Sequence, residues 1–446
     1  MPEVRRAGVV ALLLLVLLIP QPGTAAPTPS RATPRLLRSV LDNGLTVIVE
    51  EHAASDIVAL YTWVRVGSKD EDDETNGVAH FIEHMLFKGT AKRKPGVMER
   101  EVEGLGGVLN AATSFDYTNY FIIAAAKHFD QMLELQADAV TNPIFDAAEM
   151  ERERRVVIEE INSRWNSPAT RAFDAILSVA FTTHPYRRTI LGPRAGLERM
   201  PRETLVNFYQ AHYVPSKMSV VVVGNIRADD ALNKVRRVYT GFRPGGAPRP
   251  ARPVEPPISG VRRLVIEQDV RVAYVAMSFQ APAAHDRDVY ATDVLEYVLG
   301  GGLGARLRQQ IVDRTRLAQS AGAAYLVTED PSLFIISAVA DPSQVERTEA
   351  AILTELASVR EQGITEAELL RAKNLLEGEL VFGTHTARGR ARYLGLWATV
   401  AGLEFGQTYV ERVRQVTRDD VQRAARRLFD PQRYAIVVIR SGGAQQ

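Results

Sequence analysis

Residues 77–90 read GVAHFIEHMLFKGT. On a helix, His80 and His84 lie one turn apart on a single face, and Glu83 projects beside them. At 100° per residue the three fall within an arc of roughly 100°. Val78, Phe81, Ile82, Met85 and Leu86 take the opposite side. One face can therefore pack on a core while the other gathers two imidazoles and a carboxylate. Two neutral imidazoles suit zinc, and a catalytic zinc site needs a third protein ligand and an open position for water. Glu83 cannot easily be that ligand while also taking a proton from the water, so a later acidic residue is required.

Residues 149–161, EMERERRVVIEEI, supply candidates on an acidic helix. Glu153 and Glu160 are seven residues apart, two turns, on a common face. One could bind the metal while the other orients a ligand or the water. Alone, such a run is an ordinary solvated helix face; the opposed faces of the 77–90 helix raise its significance.

Working outward, the chain of 446 residues is long enough for two or three domains. Residues 243–257, RPGGAPRPARPVEPP, hold six prolines in fifteen positions and form neither helix nor central strand. They divide the chain into stretches of similar length, and 243–258 reads as a linker. The two stretches echo each other. IVALYTWVRV (57–66) leads through polar residues into the 77–87 helix, and VRVAYVAMSF (270–279) leads into a second helix over 285–299. At an offset of 213, HFIEHML (80–86) falls on DVLEYVL (293–299). Strands are expected over 45–50, 57–66, 117–124, 219–223, 264–267, 270–279, 333–339 and 435–439. Helices are expected over 78–87, 97–105, 130–141, 147–164, 170–181, 202–210, 286–299, 343–362 and 366–380. Elements in runs rather than strict alternation indicate α+β.

The N-terminus reads as a signal over 1–26. Arg5 and Arg6 precede an apolar run from Ala7 to Ile19, followed by Gly23-Thr24-Ala25-Ala26, which places cleavage after Ala25 or Ala26. That run is short for a membrane-spanning helix, so no membrane insertion is expected after cleavage. The chain is then exported, to the periplasm in a double-membraned bacterium. There is no cysteine, so disulfides, thiolate metal sites and a lipid anchor on cysteine are excluded. Lys plus Arg number 54 and Asp plus Glu 53, a balance that argues against a general nucleic-acid or membrane-surface binder.

With these motifs in place, the chain resembles the pitrilysin/insulinase zinc peptidases, whose H-x-x-E-H inverts the usual zinc-peptidase motif. The resemblance runs through the whole of 77–90. The family places its glutamate ligand 76 residues after the second histidine, which falls on Glu160, and its assisting glutamate seven residues earlier, on Glu153. GGVLNAATS (106–114) with Thr118-Asn119-Tyr120 resembles the substrate-facing strand, where Asn110 and Ala111 would meet a peptide. His184-Pro185-Tyr186 and Leu191-Gly192 also fit.

The resemblance implies two homologous α+β halves (35–242 and 259–441), each a mainly antiparallel sheet with helices packed on one face, forming a clamshell about a chamber. Only the first half would carry a metal site. It implies one zinc per chain on His80, His84 and Glu160, with Glu83 as catalytic base hydrolysing peptides or small unfolded polypeptides. The family's peptide-cutting members also use an Arg and a Tyr from the second half, after a Gly-rich turn present here at residues 300–307. Counting onward, the Arg position falls on Val312 and the Tyr position on Gln319, and Arg314 and Arg316 do not restore the spacing. The chain thus resembles the zinc-bearing subunit of a pair whose partner, a homologue lacking the zinc motif, supplies Arg and Tyr. Alternatives are a self-sufficient homodimer that processes precursors and a non-enzymatic scaffold subunit.

Overall fold

A computed structural model describes residues 35–245 and 251–442. The signal-like segment 1–26 and part of the expected linker lie outside the described residues. The described residues form one compact unit.

The first half contains β1 (Leu36–Val40), β2 (Thr46–Glu51), β3 (Ile57–Val64), α1 (Val78–Met85), α2 (Val97–Gly104), β4 (Val108–Thr113) and β5 (Thr118–Ala125). It continues with α3 (Phe129–Thr141), α4 (Ala147–Asn166), α5 (Pro168–Ala180), α6 (Arg194–Arg199), α7 (Arg202–His212), β6 (Met218–Gly224) and α8 (Ala228–Tyr239). The second half contains β7 (Val261–Glu267), β8 (Ala273–Ala281), α9 (Val289–Gly300), β9 (Ala318–Tyr325), β10 (Ser332–Ala340) and α10 (Val345–Gln362). There follow α11 (Glu366–Gly383), α12 (Ala387–Val400), α13 (Leu403–Gln415), α14 (Arg418–Leu428) and β11 (Tyr434–Arg440).

The first sheet has the order β1-β2-β6-β3-β5-β4 and the second β7-β11-β8-β10-β9. Apart from the extra edge strand β1, one order maps onto the other. In each sheet a single parallel contact, β2 with β6 or β7 with β11, stands among antiparallel ones. The echo read in the sequence is therefore an echo of topology, and the sheets are mixed but mainly antiparallel.

Each sheet packs helices of its own half on one face. Under the first, Val49, Leu60 and Val222 meet Phe81, Leu133 and Leu205. The opposite face is covered as well, by a helix from the other half. Ile48, Tyr61, Trp63, Phe121 and Val221 pack against Ala387, Ala391 and Leu394 of α12. On the second sheet, Ala276, Ile335, Val437 and Ile439 pack against Ala172, Ile176 and Leu177 of α5. Thus helices on one face describe only what each half does for itself. Burial on both faces accounts for the apolar runs of β3, β6 and β11, since a strand with one wet face would alternate. Seven of the eight residues of β3 are buried.

The close approach of α12 depends on Gly395, because a Cβ there would come within 1.9 Å of the Trp63 indole nitrogen. Ion pairs tie the halves further. Glu50 on β2 receives two bonds of 2.8 Å from the Arg390 guanidinium on α12. Lys69, whose side chain has no solvent exposure, donates to Asp116 at 2.6 Å and to Glu329 of the second half at 2.5 Å. Asp116 also accepts from the backbone N–H of Glu329 at 2.8 Å. Beyond the undescribed linker residues, Glu255 accepts the N–H groups of Thr182, Thr183 and His184, each at 2.8 Å. The chain entering the second half is pinned to the first.

Candidate metal centre

α1 is held at its start by the buried Glu71 carboxylate, which accepts from the N–H groups of Gly77 at 2.9 Å and Ala79 at 2.8 Å. These are helix-terminal donors that would otherwise lack partners. Gly77 has φ +98°, and a Cβ there would meet the Leu191 carbonyl at 2.5 Å. The Leu191-Gly192 segment thus seats the start of the helix. His184-Pro185-Tyr186 is also architectural: the Tyr186 hydroxyl donates to Asp116 at 2.6 Å, beneath the Lys69 cluster.

From this seat α1 presents His80, Glu83 and His84 toward α4 and β4. One ligand atom each from His80, His84 and Glu160 lies within 4.8 Å of the others. His80 Nε2 is 3.6 Å, and His84 Nε2 3.7 Å, from the same Glu160 oxygen. Two imidazole nitrogens and one carboxylate oxygen converging in this way form a zinc-type donor set with room for a further ligand. Burial, with the neighbouring His84, lowers His80 to about 4, so it presents a neutral ring. Burial opposes charge on His84 too, but its bonds to Glu153 and Glu160 outweigh this and raise it to about 9. Glu160 is lowered, chiefly by its bond to His84.

Glu153 faces His84 Nδ1 at 3.2 Å and accepts from Lys88 at 2.9 Å. This carboxylate–histidine pairing orients the ring and leaves Nε2 free to ligate. Burial would raise Glu153, but its bonds to His84 and Lys88 lower it. Glu83 stands apart from the three-atom group and accepts a 2.5 Å bond from the Thr113 hydroxyl at the end of β4. Burial raises the Glu83 carboxyl above its ordinary value, against the lowering effect of the Thr113 bond. Asn110 and Ala111 lie on β4, the outer strand of its sheet.

Two contributors were not singled out in the sequence. Thr113 follows Ala111 by two residues on the same strand face, a readable spacing, whereas Lys88 lies just past the end of α1, where helix periodicity does not place it. Glu153→Ala is expected to weaken zinc binding about 10–100-fold, measured by competition with a chromogenic chelator. Unchanged affinity would show that Glu153 does not support His84.

In the second half α9 occupies the place of α1, with Asp293, Glu296 and Tyr297 standing where the first half has His80, Glu83 and His84. Asp293 accepts from the Tyr409 hydroxyl at 2.9 Å, and Tyr297 donates to Glu379. Among the described residues, the His80–His84–Glu160 group is the only such metal-ligand cluster.

Residues 46–194 match the model for insulinase (peptidase family M16), and residues 199–376 that for the peptidase M16 inactive domain. An uncharacterized zinc protease of Mycobacterium tuberculosis is 31% identical over 417 residues, 92% of this chain and 94% of that protein. A probable mitochondrial-processing peptidase subunit beta of Arabidopsis thaliana is 30% identical over 373 residues, 81% of this chain and 70% of that protein. Among solved structures, a protease from Helicobacter pylori is similar with a TM-score of 0.88 and 27% identity, covering 91% of this chain and 99% of that one.

Proposed function

Because this chain belongs to the insulinase family of zinc proteases, peptidase family M16, we propose that it is an endopeptidase with one zinc on His80, His84 and Glu160 and with Glu83 as general base. The observation that carries this is the convergence of those three ligand atoms within 4.8 Å beside a separately held carboxylate. Zinc, when bound, supplies Lewis acidity and lowers the pKa of water. Glu83 takes the proton of the attacking water and passes it to the leaving amine. The Thr113 hydroxyl fixes the Glu83 carboxylate at the end of β4.

The substrate binds as an added strand on β4. Ser114 N–H donates to Tyr117 at 2.8 Å, and antiparallel pairing alternates inward and outward backbone groups. Leu109, Ala111 and Thr113 therefore turn theirs to the open edge. The Ala111 N–H is occupied by the Asn110 side-chain oxygen at 2.8 Å, a bond that a substrate carbonyl would replace. Backbone recognition of this kind suits peptides and small unfolded polypeptides of varied sequence.

The chain acts with a second subunit. Val312, in the helical turn Arg308–Arg314, and Gln319, on β9, stand where the family's Arg and Tyr would be. Val312 has no side-chain donor and Gln319 offers a neutral amide in place of a phenol, so the reading takes the Arg/Tyr oxyanion contact from a second chain. The similarity to a protein named as a processing-peptidase subunit supports this reading. The signal-like residues 1–26 support export. No described helix is long and apolar enough to cross a membrane.

The test is zinc content and cleavage of a quenched mixed-sequence peptide by the mature chain, alone and with a homologue carrying the Arg/Tyr pair. Zinc without turnover alone, with turnover restored by the homologue, is the expected result. Full turnover alone would overturn the two-subunit reading, and absence of zinc from the wild type would overturn the metal assignment.

A further inference from the structure

Next to the metal group along α4, a cleft of about 770 Å³ opens between α4, α5 and the 187–194 segment. It begins one residue beyond a candidate ligand, since Ile161 lines it and Glu160 faces the histidines. Arg164, one turn further along α4, contributes to the cleft and is close enough to act electrostatically on both His80 and Glu160. Asn76, just ahead of α1, lines the other end.

The lining is strongly cationic. Arg164, Arg171, Arg187, Arg188 and Arg194 share the lining with two carboxylates, Asp73 and Asp174, and Arg194 also pairs with Glu198 at 2.8 Å. Arg187 and Arg188 share Asp73, itself 65% exposed. Arg164 donates to Asp174 at 2.9 Å, and burial raises the Asp174 carboxyl despite that bond. Arg171 is held by neutral groups: it donates to Gln268 at 2.9 Å, and its guanidinium lies 4.2 Å from the ring centre of Trp165. Trp165 is 60% exposed, a large aromatic surface at the cleft with a positive charge stacked on it. A guanidinium fixed in orientation by stacking, with donors to spare, binds carboxylates in fork geometry at low entropic cost.

We propose that this cleft is a carboxylate-binding subsite, selecting peptide substrates that carry an acidic side chain or a free C-terminus a few residues from the scissile bond. It rests on the peptidase reading above, whose edge strand would deliver the chain past the metal group. Arg171 is the principal donor, and Arg194, which pairs with Glu198 through its Nε, adds positive charge at the rim. Trp165 and Ile161 cover the apolar part of the residue that enters.

Binding separates this from catalysis. A zinc-loaded Glu83→Gln chain, which cannot use that carboxylate as base, is titrated by fluorescence anisotropy with four matched labelled peptides. One has a C-terminal Glu and a free carboxylate; the others change the Glu to Gln, amidate the C-terminus, or do both. The doubly neutral peptide is expected to bind about tenfold more weakly than the first at low salt. The two single changes show whether side chain or terminus supplies the carboxylate. Adding Arg171→Gln and Arg194→Gln should reduce the preference to about twofold or less, while Arg171→Lys, keeping the charge, retains most of it. Equal affinity for all four peptides, or a preference that survives loss of both arginines, would overturn the subsite. Cleavage of acidic and neutral peptides at equal rates would also overturn it, leaving the peptidase reading intact. Charge-selective binding without cleavage by wild type, alone or with a partner subunit, would uphold the cleft and sink the peptidase reading.

Discussion

Glu83→Gln is expected to leave zinc bound at wild-type stoichiometry and to lower kcat by about 10²–10⁴-fold, the usual contribution of a positioned acid–base group. The substitution conserves shape, and the Thr113 hydroxyl that donates to Glu83 at 2.5 Å can donate equally to an amide oxygen. Because His80, His84 and Glu160 form the three-atom cluster without Glu83, metal retention separates a chemical role from a structural one. The comparison needs zinc content by elemental analysis and turnover of the same quenched peptide, with the partner subunit present if activity requires it. Near-normal cleavage would remove Glu83 from the base role, and loss of metal together with activity would make it part of the zinc scaffold instead.

The largest effect on stability is expected at Lys69. Its ammonium has no solvent exposure and lies between Asp116 and Glu329, one from each half. Lys69→Met keeps the aliphatic bulk but leaves two acidic groups facing each other without their shared cation. Removing one partner of a buried pair costs about 3–5 kcal/mol; Glu329 keeps Arg65 at 2.6 Å, so the loss falls chiefly on Asp116, which retains the Tyr186 hydroxyl and the Glu329 N–H. Denaturant midpoints at constant slope measure the loss, and Lys69→Met with Asp116→Asn should recover part of it by removing one of the stranded charges. An unchanged midpoint in the single variant would show that the cluster contributes nothing to holding the halves together.

The sequence made the metal-bearing helix legible because its period segregates so cleanly: apolar side chains on one face, His80, Glu83 and His84 on the other. Glu153 and Glu160 were visible as a shared helix face, but their meeting with α1 spans about seventy residues and came only from resemblance. The helices α12, α13 and α14 were missed for different reasons. α14 carries a capping box of Thr417 with Asp420 that could have been read, whereas α12, with two glycines and three arginines, looks unlike a buried helix until Gly395 is seen against Trp63. The strand β9, AQSAGAAY, has none of the β-branched residues that mark a strand. It owes its place to pairing with β10 and to the backbone of Gly300 packed on Ala323. Nothing in one strand's pattern says which helix will cover its second face, so the crossing of α5 and α12 between halves was not readable.

That crossing bears on why the half without a metal cluster persists. Once two copies of a fold have traded helices, each is the other's missing wall. Expressed alone, residues 35–242 would leave Tyr61, Trp63 and Phe121 facing water, a bare aromatic sheet prone to aggregate. A copy that has surrendered its chemistry therefore cannot be pruned by deletion. It stays free to vary on its outer surface, where a neighbouring subunit could be met, while its α12 keeps the catalytic copy soluble.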